Sequence, residues 1–133
     1  GGALGEVAAV RFKNQLNENA KTPAFFNVMP ETCHNELAGW GAAHSGEPNI
    51  VAVQLRHSYE HPRLSPRFDF NEAVAGSGNS DVINVWAEGD SELAQLFDLI
   101  LVGDQTSLEV AALLGEDPGP IDVLTQLKHR LAQ

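Results

Sequence analysis

The stretch VINVWAEGDSELAQLFDLIL, residues 82–101, decides the fold. It opens on Val82-Ile83-Asn84-Val85-Trp86, a short apolar run that predicts a strand. Asp90 or Ser91 is then placed to cap a helix. Leu93, Leu96, Phe97, Ile100 and Leu101 follow at i, i+3, i+4, i+7 and i+8, the spacing of an amphipathic helix with one buried stripe. A strand that feeds such a helix is the unit of a layered α/β fold.

The same alternation continues outward from this stretch. Ile50-Val51-Ala52-Val53-Gln54-Leu55 and Ala24-Phe25-Phe26-Asn27-Val28-Met29 read as two further buried strands. Residues 3–20 read as a helix, with Leu4, Ala8, Phe12 and Leu16 recurring every four positions and no proline before Pro23. Pro30 and Glu31 open a second helix through about Leu37, which Gly39 ends. Residues 63–75 read as a helix despite Pro66, and Gly76–Ser80 as a loop. Gly103-Asp104 interrupts the pattern after Leu101. A further helix over Ser107–Leu114 stops at Gly115, and residues 121–132 form a last helix after the rigid connector Asp117-Pro118-Gly119-Pro120. Apolar strands alternating with helices imply an α/β fold with a parallel sheet. The order opens directly on a helix behind Gly1-Gly2, as though it began in the loop after a strand.

Composition narrows the function. The 133 residues suit one domain, residues 1–133, and 43% are hydrophobic, enough for a core. Eight Lys and Arg stand against 18 Asp and Glu, a net charge of -10. That excludes a general binder of nucleic acid or anionic membrane, while a phosphate ligand needs only a few local cations and N–H groups. No apolar run approaches the roughly 20 residues of a membrane span. Gly1-Gly2-Ala3-Leu4 has no basic segment of the kind that starts a signal peptide. Cys33 is the single cysteine, which fits a reducing cytoplasm and forbids an internal disulfide.

Two stretches carry a family resemblance. Arg11-Phe12-Lys13-Asn14-Gln15-Leu16-Asn17-Glu18-Asn19-Ala20-Lys21 contains the N-E-N-A-K run of the bifunctional phosphoglucose/phosphomannose isomerases. Pro30-Glu31-Thr32-Cys33-His34-Asn35-Glu36-Leu37-Ala38-Gly39-Trp40 resembles their P-E-x-x-H-N-E-x-x-G-W segment. Glu60-His61-Pro62-Arg63, Ala87-Glu88-Gly89 and Leu101-Val102-Gly103-Asp104 follow in the family's order, while Gln105-Thr106 depart from it where bulkier residues are expected. The resemblance implies the second of two sugar isomerase (SIS) domains, a three-layer α/β sandwich of flavodoxin type. It implies that the first helix and strand, and the whole N-terminal SIS domain, lie outside this sequence. It further implies a cytoplasmic homodimer with each site shared across the interface, and a fragment inactive by itself.

The implied reaction interconverts hexose 6-phosphates, glucose or mannose 6-phosphate with fructose 6-phosphate. It takes ring opening, then proton transfer between C2 and C1 through an enediolate, with a cation or donor to steady the charge. No metal or organic cofactor is needed. Glu18 lies near the end of its predicted helix, where the dipole disfavours negative charge, and by resemblance it moves the proton. Read alone, it is an ordinary exposed glutamate beside Lys21. His34 falls in the first predicted turn of the second helix, where a neutral imidazole is favoured, and by resemblance it assists ring opening in the partner subunit's site. Read alone, it is a histidine bonded to backbone. Lys128 matches the family's lysine on the last helix, in competition with His129 and Arg130 and with a plain surface role.

Other patterns point to substrate contact or to nothing. His57-Ser58-Tyr59-Glu60-His61 spells an inverted zinc-protease signature, but it follows a strand, and Pro62 keeps His61 out of a helix. As a loop at the sheet's C-terminal edge, it makes Glu60, His61 and Arg63 candidates to border a ligand. Gly1 and Gly2 precede a helix and could cradle a phosphate or a sugar hydroxyl, or simply turn tightly. Cys33 reads as a core spectator. The competing function is a non-catalytic SIS module that binds a sugar phosphate or only dimerises.

Overall fold

The structure is a computed structural model, and it describes residues 1–40, 50–78 and 80–132. Asn79, within the expected 76–80 loop, lies outside the described residues. The elements are α1 (Leu4–Asn19), a 3-10 turn (Glu31–Cys33), α2 (Glu36–Trp40), β1 (Val51–Arg56), α3 (Ser65–Ser77), β2 (Asp81–Trp86), α4 (Glu92–Leu114) and α5 (Asp122–Leu131).

β1 and β2 pair in parallel, Val51 opposite Asp81 through Arg56 opposite Trp86. Alternation along β1 sorts its side chains between two helical layers. Leu55 joins Ala8 of α1 and Leu99 of α4 in a dry core, with Val85, Leu96 and Ile100 packed around it. Gln54 and Arg56 point the other way, to Asn71 and Phe68 of α3. The result is the α/β sandwich that strand–helix alternation implied.

A polar ladder runs across the α3 side. Gln54 Nε2 donates to its register partner Asn84 at 2.9 Å, Asn71 Nδ2 donates to Gln54 at 3.2 Å, and Asn84 donates to Glu72 at 2.7 Å. Buried amides persist only when bonded in this way, and they also define the strand register.

Several elements differ from the sequence reading: the second helix is a 3-10 turn followed by α2, which runs past Gly39 to Trp40, and Gly76 and Ser77 belong to α3. Helix α4 does not break at Gly103-Asp104; it runs unbroken to Leu114. A Cβ on Gly103 would stand 3.2 Å from Phe12 of α1, so this glycine serves close helix packing rather than a turn. Asp104 beside it takes a bidentate ion pair from Arg11, at 2.7–3.2 Å. Ser91 is the N-cap, accepting from Ala94 N, and Gly115 ends the helix at φ 73°. Residues 24–29 form no ladder, and Phe25 is 91% exposed.

The Gly103 contact gives a matched test. Gly76→Ala in α3 meets open space and should gain about 0.5–1 kcal/mol of stability from helix propensity. Gly103→Ala should gain nothing or lose stability, because its methyl presses on Phe12. Urea midpoints of the two variants make the comparison; equal gains would remove the packing role of Gly103.

Candidate functional site

Glu18 sits in the last turn of α1, exposed, with its carbonyl accepting from Lys21 Nζ at 2.6 Å. Lys21 itself adopts φ 53°, which turns the chain out of the helix. The segment that follows runs back along α1. Ala24 O accepts from Asn17 near the helix C-terminus, and Met29 N donates to Gly1 O at its N-terminus, 2.9 Å away. Met29 thus lies at the end of α1 opposite Glu18, and the turn that carries His34 follows from there.

His34 is exposed and closes the 3-10 turn, its N–H donating to Glu31 O at 2.8 Å. It was expected in the first turn of a helix. It stands instead between two short elements, because Thr32 and Cys33 bond back to Val28 and Pro30 and tighten the chain before Glu36 starts α2. The dipole argument for a neutral imidazole loses its basis there. Asn27 donates to Glu36 Oε1 and anchors this segment.

Lys128 is exposed in the last turn of α5, with His129 and Arg130. None of the described α5 side chains is buried, and Val123, Leu127 and Leu131 are all at least half exposed. Among the described residues no hydrogen bond or ion pair joins Glu18, His34 and Lys128.

Arg63 comes close to the His34 turn. An open cleft of about 620 Å³ is lined by Cys33 and Leu37 on one side and by Arg63, Pro66, Arg67 and Phe70 on the other. Arg67, not singled out from the sequence, lies four residues after Arg63 on the α3 side, and its guanidinium donates to Arg63 O at 2.6 Å. An i, i+4 look at Arg63 would have found it.

Glu60 is differently placed. Its carboxylate takes a bidentate contact from Arg56 at 2.9–3.0 Å and accepts from His57 N at 3.2 Å. Arg56 is in turn held between Phe68 and Trp86, 4.1 and 4.4 Å from the ring centres. His61 is exposed, and its Nδ1 accepts from Arg63 N. His57 is buried, its Nε2–H donating to Gly2 O at 3.0 Å. The two histidines of the zinc-like pattern thus face different surroundings.

Gln95 pins the loops at the sheet's C-terminal edge. It accepts from Ser58 N at 2.9 Å and donates to Gly89 O at 2.8 Å, joining the turn after β1 to the turn after β2. The apolar stripe of α4 gave no sign of it.

Gly1 and Gly2 fill tight space. A Cβ on Gly1 would stand 2.2 Å from Gly5 O, and one on Gly2 would stand 2.9 Å from Leu64.

The comparisons place these residues in a family. Over 128 residues the chain is 37% identical to a Caldicellulosiruptor bescii protein named bifunctional phosphoglucose/phosphomannose isomerase, covering 96% of this chain and 38% of the relative. An Aquifex aeolicus protein of the same name is 32% identical over 123 residues, 92% of this chain and 38% of the relative. A Sulfolobus acidocaldarius protein named D-glucosamine-6-phosphate 4-epimerase is 28% identical over 122 residues, 92% of this chain and 35% of the relative. The chain thus spans well under half the length of these relatives. No described helix is long and apolar enough to cross a membrane. The family model described as the bacterial phospho-glucose isomerase C-terminal SIS domain matches residues 1–131, and the chain belongs to that family.

Proposed function

We propose that this chain supplies half of the machinery of a phosphosugar isomerase that interconverts glucose or mannose 6-phosphate with fructose 6-phosphate. The observation that carries this reading is Glu18, a carboxylate within the N-E-N-A-K run, held at the exposed end of α1. In the open-chain aldose, Glu18 takes the proton from C2 while the C1 carbonyl gains electrons, forming the enediolate. The hydroxyl proton passes from the C2 oxygen to the C1 oxygen, and Glu18 returns its proton to C1 as the carbonyl forms at C2. Lys128 or another cation steadies the negative oxygen. His34 moves protons at the ring oxygen and anomeric hydroxyl, and Arg63 with its neighbour Arg67 offers positive charge to the phosphate.

On this reading the site is completed by two copies, as the family resemblance implies, with Glu18 of one facing His34 of the other, together with protein beyond this domain. The full-length protein should sediment as a dimer; a monomer at high concentration would remove the shared site.

The epimerase relative supplies the competing chemistry, on a related sugar phosphate. Full-length protein incubated separately with glucose, mannose and glucosamine 6-phosphates decides between them by product. Fructose 6-phosphate from the first two supports the isomerase. Inversion at C4 alone would replace it with an epimerase. Binding without conversion would leave a sugar-phosphate-binding module.

A further inference from the structure

His34 is exposed, and its side chain makes no hydrogen bond among the described residues. Its aim is therefore set by the backbone of the turn that carries it, residues 28–35. Inside that turn the bonds are local. Thr32 Oγ1 donates to Val28 O at 2.9 Å, Cys33 N donates to Pro30 O at 2.9 Å, and Asn35 Nδ2 donates to Glu31 Oε1 at 3.0 Å, across His34. The entry is tied to α1's start through Met29 N and Gly1 O. Among the described residues the exit has no backbone bond beyond its own turn.

A side-chain bond ties the exit instead. Asn27 and Glu36, nine positions apart, bracket the turn, and Asn27 Nδ2 donates to Glu36 Oε1. Among the described residues this is the one hydrogen bond that joins the chain before the turn to the chain after it. Asn27 is itself held, because its Oδ1 accepts from Val28 N at 2.7 Å. A planar amide with one end on the backbone and the other on a carboxylate has little freedom to rotate. Bonds to an ionised acceptor are also the stronger kind. Glu36 Oε2 is buried without a partner, a costly state that an apolar side chain would avoid. The pair thus adds little net stability, while it fixes both ends of the turn.

We infer that Asn27 and Glu36 are positioning residues for His34. Their bond places the turn, and through it sets the reach of the imidazole to the sugar ring. Neither residue touches the substrate. The inference rests on the isomerase reading for its purpose, since it deepens the ring-opening role proposed for His34.

The test exchanges the two groups in the full-length protein. Asn27→Asp sets two carboxylates against each other and loses the bond. Asn27→Asp combined with Glu36→Gln restores it in reverse, because the new amide donates to the new carboxylate, which still accepts from Val28 N. Glu36→Gln alone keeps an acceptor for Asn27 and should cost little. Histidine ring resonances, assigned with His34→Gln, report the turn directly. The His34 signal should shift or broaden in Asn27→Asp and return in the double variant. In Asn27→Asp, kcat on ring-form substrate should fall by about 10–100-fold, as for a catalytic group displaced by about 1 Å, and kcat on open-chain substrate by less than about threefold. The double variant should recover most of the ring-form loss. Asn27→Ala removes the bond without repulsion, should show the same split, and serves where the aspartate variant does not fold. An unmoved His34 signal, equal loss on both substrate forms, or a double variant that recovers nothing would overturn the inference. So would a loss in Glu36→Gln alone as deep as in Asn27→Asp, which would make Glu36 a substrate contact. An unaltered protein without isomerase activity would instead end the isomerase reading, with the resonances still deciding whether the pair holds the turn.

Discussion

Glu18→Gln should lower isomerisation by the full-length protein by about 10²–10⁴-fold, the usual contribution of a positioned general base. The substitution keeps the side chain's size and removes its ability to take the C2 proton. Glu18 is exposed and its carboxylate has no hydrogen-bond partner among the described residues, so the fold should be unaffected. Substrate affinity should change little, since the proposed phosphate contacts, Arg63 and Arg67, lie at another element, α3. His34→Ala should separate from it: ring opening slows, and substrate supplied in open-chain form partly restores the rate. Steady-state rates with both substrate forms check the pair. Wild-type turnover in Glu18→Gln would end its role as base and favour a binding module. Equal loss on ring and open-chain forms in His34→Ala would take His34 out of ring opening.

Glu60→Ala should destabilise the domain by about 3–5 kcal/mol, the cost of leaving one member of a buried ion pair alone. Arg56 and Glu60 side chains are only 3% and 7% exposed, and the pair lies at the turn that carries the loop after β1. The alanine strands the Arg56 charge between Phe68 and Trp86 and frees the His57 N–H. Replacing both partners, as Arg56→Met with Glu60→Met, should cost less than Glu60→Ala alone, because no unpaired charge remains. Urea denaturation followed by tryptophan fluorescence reads these values. An intact fold with a raised KM alone would instead make Glu60 a substrate contact, as its place in a βα loop had suggested.

Much of the fold was legible because it rests on periodicity. The 3.6-residue stripe of α4 and the apolar runs of β1 and β2 needed no tertiary knowledge to read. Gly103 misled because a glycine inside a helical pattern looks the same whether it breaks the helix or admits Phe12. Residues 24–29 misled because a strand exists only with a neighbour, and composition cannot supply the neighbour. The proposed site was legible only through motif resemblance. Glu18 and His34 are single exposed side chains whose spacing carries no chemistry within one copy. The Arg56–Glu60 and Gln95 contacts depend on loops meeting across the sheet, and no local pattern announces that.

The most direct test follows a hydrogen. Glucose 6-phosphate deuterated at C2 is given to the full-length protein, and NMR tracks the label. Base-catalysed enediolate chemistry at Glu18 should move deuterium from C2 to C1 of fructose 6-phosphate or to solvent, and Glu18→Gln should leave it at C2 of unreacted substrate. Label that never leaves C2 with the unaltered protein, or that leaves as fast in Glu18→Gln, would contradict the assignment.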